Sequence, residues 1–190
     1  MLVLASTSRY RRELLSRLGL EFETFAPDVD ETPLRDEAPA LTASRLAQAK
    51  ARAATMRFPD ALVLGSDQVA EVDGFRLDKP GNAQRAREQL LRASGRDVVF
   101  HTAVALLNTG TNDMQTALVP TRVRFRQLSL REIDVYLQRE QPFDCAGSAK
   151  SEGLGVALLE SINGTDPTAL IGLPLIQVVS MLNAAGLPVL

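Results

Sequence analysis

The sequence predicts an α/β fold with a mixed sheet, and three observations lead to this prediction. The chain opens with an apolar run at residues 2–5, a hydroxyl-rich loop at 6–8 and an amphipathic stretch that ends at Gly19, which is the order strand, loop, helix. Apolar, strand-like runs then alternate with helical periodicity along the chain. An Asp73-Gly74 pair between two apolar runs indicates a hairpin, which makes part of the sheet antiparallel.

The start of the first helix is a candidate anion site. Its free backbone N–H groups and its dipole favour negative charge, and Arg11 and Arg12 stand in its first turn. Helical spacing aligns Arg11 with the leucines that face the core, so this arginine points away from open water. A phosphate suits the fork of such a guanidinium. The alternative is an N-capped helix that carries two surface arginines.

A strand at 21–26 and an acidic loop at 27–33 follow the first helix. Carboxylates clustered on a loop can ligate a hard cation such as Mg²⁺ or Mn²⁺. The alternative, which is the more common case, is that the carboxylates of this loop are simply solvated. The loop by itself leaves both interpretations open.

Lys50 is the most unusual residue of the predicted helix at 40–56. It falls in the middle of the apolar face, whereas a lysine that keeps its charge in water would lie at the edge. Lysine is almost never buried without a partner, and only three of the 21 basic residues are lysine. We interpret Lys50 as a side chain that reaches into a site; the alternative is a lysine without a role.

Asp67 follows a predicted buried strand at 61–65. The carboxyl end of such a strand is where ligands collect in α/β sheets, and the hairpin of 69–72 with 75–77 begins directly after it. Asp67 is therefore a candidate catalytic or metal-binding carboxylate, although an aspartate that caps a turn fits the spacing equally well. Lys79 lies one hairpin length further on, so it can return to the neighbourhood of Asp67.

The second half of the chain continues the alternation of helices and strands. A turn at 78–82 and a helix at 83–94 precede two long strands at 97–107 and 114–127. Arginines alternate with apolar residues in the second of these strands. We interpret them as the wet face of a sheet, because no aromatic residues are interleaved there for base stacking.

The predicted elements that complete the chain are a helix after the Ser129–Glu132 capping box, a small-residue loop at 141–155, a strand at 155–160, a turn at Asn163-Gly164 and a helix that begins at Pro174. The loop carries Lys150 and Glu152. Loops of this length inside compact domains are usually functional or disordered, and its apolar residues argue against disorder.

Composition excludes several classes of protein. A net charge of −2 gives no positive field for nucleic acid or an anionic membrane. The single cysteine, Cys145, excludes an internal disulfide and fits a reducing cytosol. No apolar stretch approaches the ~20 residues that span a bilayer, and the N-terminus has no signal-peptide pattern. We therefore expect a cytoplasmic protein without nucleic-acid or membrane partners.

The candidate residues together indicate phosphoryl chemistry. Cations that bind phosphates, with carboxylates for a metal ion and a water, are the groups that this chemistry uses. No lysine–serine P-loop, GxSxG or HExxH motif is present, which disfavours the chemistries of those motifs.

Short stretches in this sequence match a known family in family order, from residue 4 to residue 175. They are Leu4–Arg12, Val29–Glu31, Arg45–Lys50, Gly65–Gln68, Lys79-Pro80, Ala146-Gly147 with Glu152-Gly153, and Gly172–Leu175. In these stretches the chain resembles the Maf nucleotide pyrophosphatases.

The resemblance implies a single Maf or ITPase-like domain over 1–190, with an elongated twisted sheet, helices on both sides, two lobes around a cleft, and frequent homodimers. It also implies hydrolysis of a nucleoside triphosphate to monophosphate and pyrophosphate, with Mg²⁺ or Mn²⁺ as the cofactor. By this resemblance Asp67 is catalytic, and Asp67 and Glu31 lie at the metal. The residues that the resemblance assigns to phosphate binding are Ser6, Arg11, Arg12, Lys50 and Lys79.

Three residues resemble those of a 7-methyl-GTP pyrophosphatase subgroup: Tyr10, Gln68 and Glu152. An N7-methylated guanine is positively charged, so an aromatic face and a carboxylate favour it over uncharged bases. Arg9 replaces the usual proline and Asp78 the usual glycine, and we expect neither to touch a residue with an assigned role. The alternatives are a house-cleaning pyrophosphatase for dTTP, UTP or modified nucleotides, and a non-catalytic nucleotide-binding regulator of cell division.

Overall fold

Strands and helices alternate along the chain in the computed structural model, which describes residues 1–190. The elements are β1 (Leu2–Ala5), α1 (Arg9–Ser16), β2 (Glu23–Phe25), α2 (Pro39–Ala53), β3 (Leu62–Val72), β4 (Phe75–Leu77), α3 (Ala83–Ala93), β5 (Asp97–Asn108), β6 (Asp113–Phe125), α4 (Leu130–Glu140), β7 (Leu159–Gly164) and α5 (Leu175–Ala184). No helix has the length and apolarity needed to cross a membrane.

The strands form one mixed sheet of seven strands. Its order is β2-β1-β3-β5-β6-β7, and β4 pairs with β3 outside this path. β1 is parallel to both β2 and β3, whereas β3 with β4 and β6 with β7 are antiparallel. The predicted α/β fold with a mixed sheet is confirmed.

The chain divides into two compact units. Unit 1 comprises residues 1–68, 102–119 and 166–190, and unit 2 comprises residues 69–101 and 120–165. Three long strands, β3, β5 and β6, each contribute residues to both units.

An aliphatic core fills unit 1. Its members come from β1, α1, β3, β5 and the C-terminal segment: Leu2, Leu4, Leu14, Leu15, Leu64, Val104, Leu106, Leu173, Leu175, Val178, Met181 and Leu182. Each fully buried leucine stabilises the fold by about 1.5–3 kcal/mol. Because β1 and α1 are both anchored in this core, the loop between them is held at two ends.

Local signals in the sequence act as expected. The Ser8 side chain accepts a hydrogen bond from the Arg11 amide and caps α1, and Ser129 with Glu132 forms the capping box of α4. Asp73 and Gly74 both have positive φ angles, 49° and 78°, as the favoured two-residue hairpin turn requires. The predicted hairpin is confirmed.

The arginines of β6 lie on the outer face, as predicted. Val119, Thr121, Val123 and Phe125 are buried, while the intervening Arg122 is exposed. Alternation along a strand places these two sets on opposite faces of the sheet.

Two predictions at strand ends are wrong. β3 does not stop at residue 65 but continues to Val72, so Asp67 lies inside a strand. The side chains of Ser66 and Gln68 donate hydrogen bonds to distant backbone oxygens, which allow this polar stretch to stay extended. The last strand is Leu159–Gly164, because residues 154–158 form a 3₁₀ helix.

The predicted Asn163-Gly164 turn is also wrong. Asn163 pairs with Arg122 and Gly164 with Thr121, so both residues belong to β7. Apart from Leu159, the residues of β7 are exposed. Backbone pairing with β6, and not an apolar pattern, holds this strand in place.

Candidate active site

Lys50 lies between two carboxylates. Its Nζ is 2.7 Å from Asp67 Oδ1 and 2.6 Å from Glu31 Oε1. The side chains of Lys50 and Asp67 are 7% and 10% exposed, and that of Glu31 is 57% exposed. Lys50 is therefore buried with partners, as its place on the apolar face of the helix predicted.

Gly65 sets the distance between the helix that carries Lys50 and the strand that carries Asp67. A Cβ atom on Gly65 would lie 2.1 Å from the carbonyl oxygen of Ala47 and 2.6 Å from the amide nitrogen of Ala51. Only glycine allows α2 to approach β3 this closely. Gly65 and Asp67 share one face of β3 because side chains alternate along a strand, so the same face receives α2 and Lys50.

The segment before α2 is tied to that helix by Glu37 and Arg45. The guanidinium of Arg45 donates to both carboxylate oxygens of Glu37, at 2.7 and 2.8 Å, and to the backbone oxygen of Thr32 at 3.1 Å. The hydrogen bond from Arg45 is the main reason why the pKa of Glu37 is lowered to about 2. Since Thr32 directly follows Glu31, this contact fixes the end of the acidic loop beside Lys50.

Arg11 points inward, as predicted. Its Nε donates to the backbone oxygen of Gly172 at 2.9 Å, and its terminal nitrogens make no hydrogen bond or ion pair. Burial lowers the pKa of Arg11, while the charges of Asp67 and Glu31 raise it and so offset part of that shift. The guanidinium is thus in the electrostatic field of the carboxylates that contact Lys50.

The loop after β1 presents hydroxyl groups and a second arginine. Ser6 is 8% exposed, and its Oγ accepts a hydrogen bond from the Ser8 amide at 3.1 Å. Arg12, one residue beyond Arg11, is exposed. The helix start therefore offers one inward and one outward guanidinium.

Arg9 contacts Tyr10, contrary to expectation. The Arg9 Nη2 donates to the Tyr10 hydroxyl at 2.7 Å, and the Arg9 guanidinium carbon lies 4.7 Å from the centre of the Tyr10 ring. The residue that departs from the family pattern therefore touches a residue with an assigned role. An arginine reaches its neighbour in this way because its side chain is long and its planar head stacks on aromatic rings.

The side chains of Ser66, Gln68 and Thr102 bind the segment 169–172. Gln68 Nε2 lies 3.0 and 3.1 Å from the backbone oxygens of Ala169 and Leu170, and 2.8 Å from Thr102 Oγ1. Ser66 Oγ is 3.0 Å from the backbone oxygen of Gly172. The residue-by-residue reading of the sequence gave no role to Ser66, Thr102 or Gly172, although Ser66 and Gly172 lie within stretches that carry the family resemblance.

Lys79 and Glu152 belong to unit 2, where both are exposed. Their participation in a site with Asp67 stays a prediction. Direct contact brings together Glu31, Lys50 and Asp67, all in unit 1.

The loop that carries Lys150 is ordered. Lys150 Nζ donates to Glu140 Oε1 at 2.8 Å, and the backbone amide of Leu154 donates to Glu140 Oε2 at 2.7 Å. The backbone amide of Lys150 donates to the hydroxyl of Tyr136, whose pKa is raised by burial. Glu140 thus binds this loop of unit 2 at two points, Lys150 and Leu154.

The donor set fits a divalent metal ion. Asp67 and Glu31 direct one oxygen each at the same ammonium group, so the two oxygens can face one cation. Mg²⁺ is usually bound by one or two carboxylates and takes its other ligands from water and phosphate. No group of three or more histidine, cysteine or acidic side chains suited to a metal ion is present.

The sequence model of the family described as Maf-like protein matches residues 1–185. A 7-methyl-GTP pyrophosphatase of Polaromonas sp. is 60% identical over 185 residues, which cover 97% of this chain and 84% of the relative. The protein of the same name from Aromatoleum aromaticum is 59% identical, with 98% of this chain and 96% of the relative covered. That of Albidiferax ferrireducens is 57% identical, with coverages of 100% and 95%.

Solved structures give a weaker likeness. The Ham1 protein of Staphylococcus aureus aligns with a TM-score of 0.49 and 16% identity, over 66% of this chain and 72% of that protein. A HAM1 protein of Coxiella burnetii aligns with a TM-score of 0.44 and 18% identity, with coverages of 67% and 73%.

Proposed function

The chain belongs to the Maf family, and from this premise we propose that it hydrolyses 7-methyl-GTP to the monophosphate and pyrophosphate. The observation that carries the proposal is the buried Lys50, in contact with both Asp67 and Glu31. A lysine, an inward arginine and two carboxylates within one unit are the groups that a triphosphate and its metal ion require. The names of the relatives support the choice of substrate.

Each cation has a distinct part in phosphate binding. Arg11 offers the terminal edge of a guanidinium whose Nε is already bound to Gly172, so this edge can take two phosphate oxygens. Lys50 provides a compact charge, and Ser6 with the start of α1 provides neutral donors. Arg12 and Lys79, both exposed, complete the neutralisation of the triphosphate.

Asp67 is the proposed catalytic residue. Its carboxylate orients a water molecule and accepts its proton as the water oxygen attacks the α-phosphorus. The bond between the α-phosphorus and the bridging oxygen breaks, and pyrophosphate leaves with its charge stabilised by the arginines and lysines. Asp67 and Glu31 would hold the divalent metal ion, which would supply charge neutralisation at the phosphate oxygens.

Tyr10, Gln68 and Glu152 are the proposed specificity residues. The contact with Arg9 supports the role of Tyr10, because a planar cation already lies over this ring, 4.7 Å from its centre. A methylated guanine is also a planar cation, so it suits the same face. Glu152 is exposed and would add a negative charge near the base.

The test is the release of pyrophosphate from 7-methyl-GTP, GTP, dTTP and UTP in the presence of Mg²⁺ or Mn²⁺. We expect 7-methyl-GTP to dominate, and Asp67→Asn to lower kcat by about 10²–10⁴ while the protein stays folded. Comparable release from several nucleotides would favour the house-cleaning alternative. Binding of nucleotides without release would favour the non-catalytic regulator.

A further inference from the structure

We propose that Ser66 is a positioning residue, which acts through the Gly172 carbonyl to hold the Arg11 guanidinium ready for phosphate. The inference rests on the proposed function, because it assigns a task within the same site. It concerns only residues of unit 1.

Arg11 is attached to the rest of unit 1 through one nitrogen of its guanidinium. Of its three guanidinium nitrogens, only Nε is engaged, with the backbone oxygen of Gly172 at 2.9 Å. A hydrogen bond at Nε fixes the plane of the guanidinium and leaves the terminal pair of nitrogens available. A bound phosphate would then find the fork already oriented, which reduces the entropy lost on binding.

The position of the Gly172 oxygen depends on the backbone conformation of Gly172 and on two side-chain donors. Gly172 has a φ of 125°, a region that other residues rarely adopt. Its oxygen accepts from Ser66 Oγ at 3.0 Å as well as from Arg11. Ser66 is fully buried, and its single hydroxyl proton is shared between this oxygen and the backbone oxygen of Ala103, which lies 2.8 Å from Oγ. The hydroxyl therefore links β3 and β5 to the carbonyl that holds Arg11.

Hydrogen bonds hold the segment 169–172, which carries Gly172, in place. Its early part is bound by Gln68 and Thr102 at the oxygen of Ala169. The buried carboxylate of Asp166 binds both sides of it, since it accepts from the amide of Thr168 before the segment at 2.9 Å and from that of Ile176 after it at 2.8 Å. Between these anchors, Ser66 is the side chain other than Arg11 that donates to the Gly172 carbonyl.

Side chains alternate between the two faces of β3. Ser66 and Gln68 share one face of the strand and hold the segment 169–172. Gly65 and Asp67 share the other face, which α2 and Lys50 contact. One strand thus places the proposed catalytic carboxylate on one side and the support of Arg11 on the other.

Loss of the Ser66 hydroxyl leaves Arg11 as the remaining side-chain donor to the Gly172 oxygen, so this oxygen, and the guanidinium bound to it, is held less firmly. We expect Ser66→Ala to weaken binding of a non-hydrolysable triphosphate analogue by about tenfold, the effect of one buried hydrogen bond at the upper end of its range. We expect the change mainly in KM and less in kcat, because Asp67 lies on the other face. The direct contact of Lys50 with Asp67 does not involve Ser66.

A double-mutant cycle tests whether the effect passes through Arg11. The side chain in Arg11→Lys has neither the Nε–H donor nor the guanidinium fork. The Gly172 oxygen therefore no longer orients a group that binds phosphate in this variant. We expect Ser66→Ala to weaken binding in the wild-type background and to have no further effect in Arg11→Lys, as measured by calorimetry with the same analogue. Additive losses would show that Ser66 acts only on the fold, and would overturn the proposal.

Thr121→Val is the matched control, because it also removes a buried hydroxyl. Thr121 is 1% exposed and its Oγ1 has no hydrogen-bond partner, so we expect affinity to stay at the wild-type level and stability to be unchanged or higher. If Ser66→Ala does not fold, Gly172→Ala tests the same link, since its φ is strained for alanine and the carbonyl is displaced.

The outcomes separate this inference from the proposed function. If the wild-type protein hydrolyses the triphosphate but the cycle is additive, the positioning role is wrong and the function stands. If the wild-type protein neither binds nor hydrolyses any triphosphate, the function fails and the positioning role fails with it. Non-additive losses, confined to binding and absent in Thr121→Val, support the proposal.

Discussion

At the scale of single residues, Lys50 has two functions that compete. In the protein alone its single positive charge is shared between Asp67 and Glu31, at 2.7 and 2.6 Å. These are the same carboxylates that we propose for the metal ion. A divalent ion must therefore compete with the ammonium group for these oxygens, and the displaced lysine is then free to bind a phosphate.

This competition predicts an unusual result for Lys50→Met. Without the ammonium group, the two carboxylates repel each other and attract a metal ion more strongly. We expect Mn²⁺ alone to bind this variant about tenfold more tightly than the wild type, a difference of about 1.4 kcal/mol, while affinity for the nucleotide falls. Calorimetry or electron paramagnetic resonance of Mn²⁺ measures the first effect without any enzyme assay.

Arg12→Met is the matched control for the metal experiment, because Arg12 is an exposed cation that contacts neither carboxylate. It should leave the affinity for Mn²⁺ unchanged. Equal or weaker binding of Mn²⁺ to Lys50→Met would show that the ammonium group and the metal ion do not share a place.

At the scale of elements, the packing of α2 on β3 depends on Gly65. We expect Gly65→Ala to lower the free energy of unfolding by about 3 kcal/mol, because the new Cβ would meet backbone atoms of α2 that cannot move separately. Chemical denaturation measures this loss.

Gly110→Ala is the control for Gly65→Ala. There the new Cβ would meet the exposed side chain of Asp60 first, at 2.9 Å from its Oδ1, and this side chain can turn away. A change within about 0.5 kcal/mol is expected. Similar losses for both variants would contradict the role given to close backbone approach.

The connection of the acidic loop to α2 predicts a dependence on pH. The pKa of Glu37 is lowered from its ordinary value of 4.5 to about 2 by Arg45. Its contribution to stability is therefore complete above the ordinary value and is lost as the pH falls from about 5 to about 2. In Glu37→Gln, unfolding measured over this range should lose part of its dependence on pH, and an unchanged slope would contradict the assignment.

At the scale of the whole molecule, three strands belong to both compact units. Loss of β3, β5 or β6 removes backbone pairing from each unit, so we expect the units to unfold together. The two tyrosines suit this test because Tyr10 lies in unit 1 and Tyr136 in unit 2. With fluorotyrosine in both positions, the two ¹⁹F signals should disappear at the same denaturant concentration; separate midpoints would contradict the prediction.

Periodicity in the sequence was sufficient for the fold class, the hairpin and the inward direction of Arg11 and Lys50. It placed the end of β3 too early, since Ser66 and Gln68 stay extended by donating hydrogen bonds to residues more than thirty positions away. It placed β7 too early, at 155–160, because that strand has one buried residue and depends on pairing with β6. Contacts between distant residues leave no local pattern, and the support of Arg11 by Ser66 and Gly172 is of this kind.

The Arg9–Tyr10 contact bears on how a base would be received. Before any nucleotide arrives, the ring has a planar cation of the chain itself against it. A methylated guanine that binds this face of Tyr10 must therefore replace the guanidinium of Arg9, so one positively charged partner is exchanged for another. Discrimination at Tyr10 would consequently depend on the difference in binding between two cations. A neutral base would bind the ring more weakly, because it has no positive charge to replace that of Arg9.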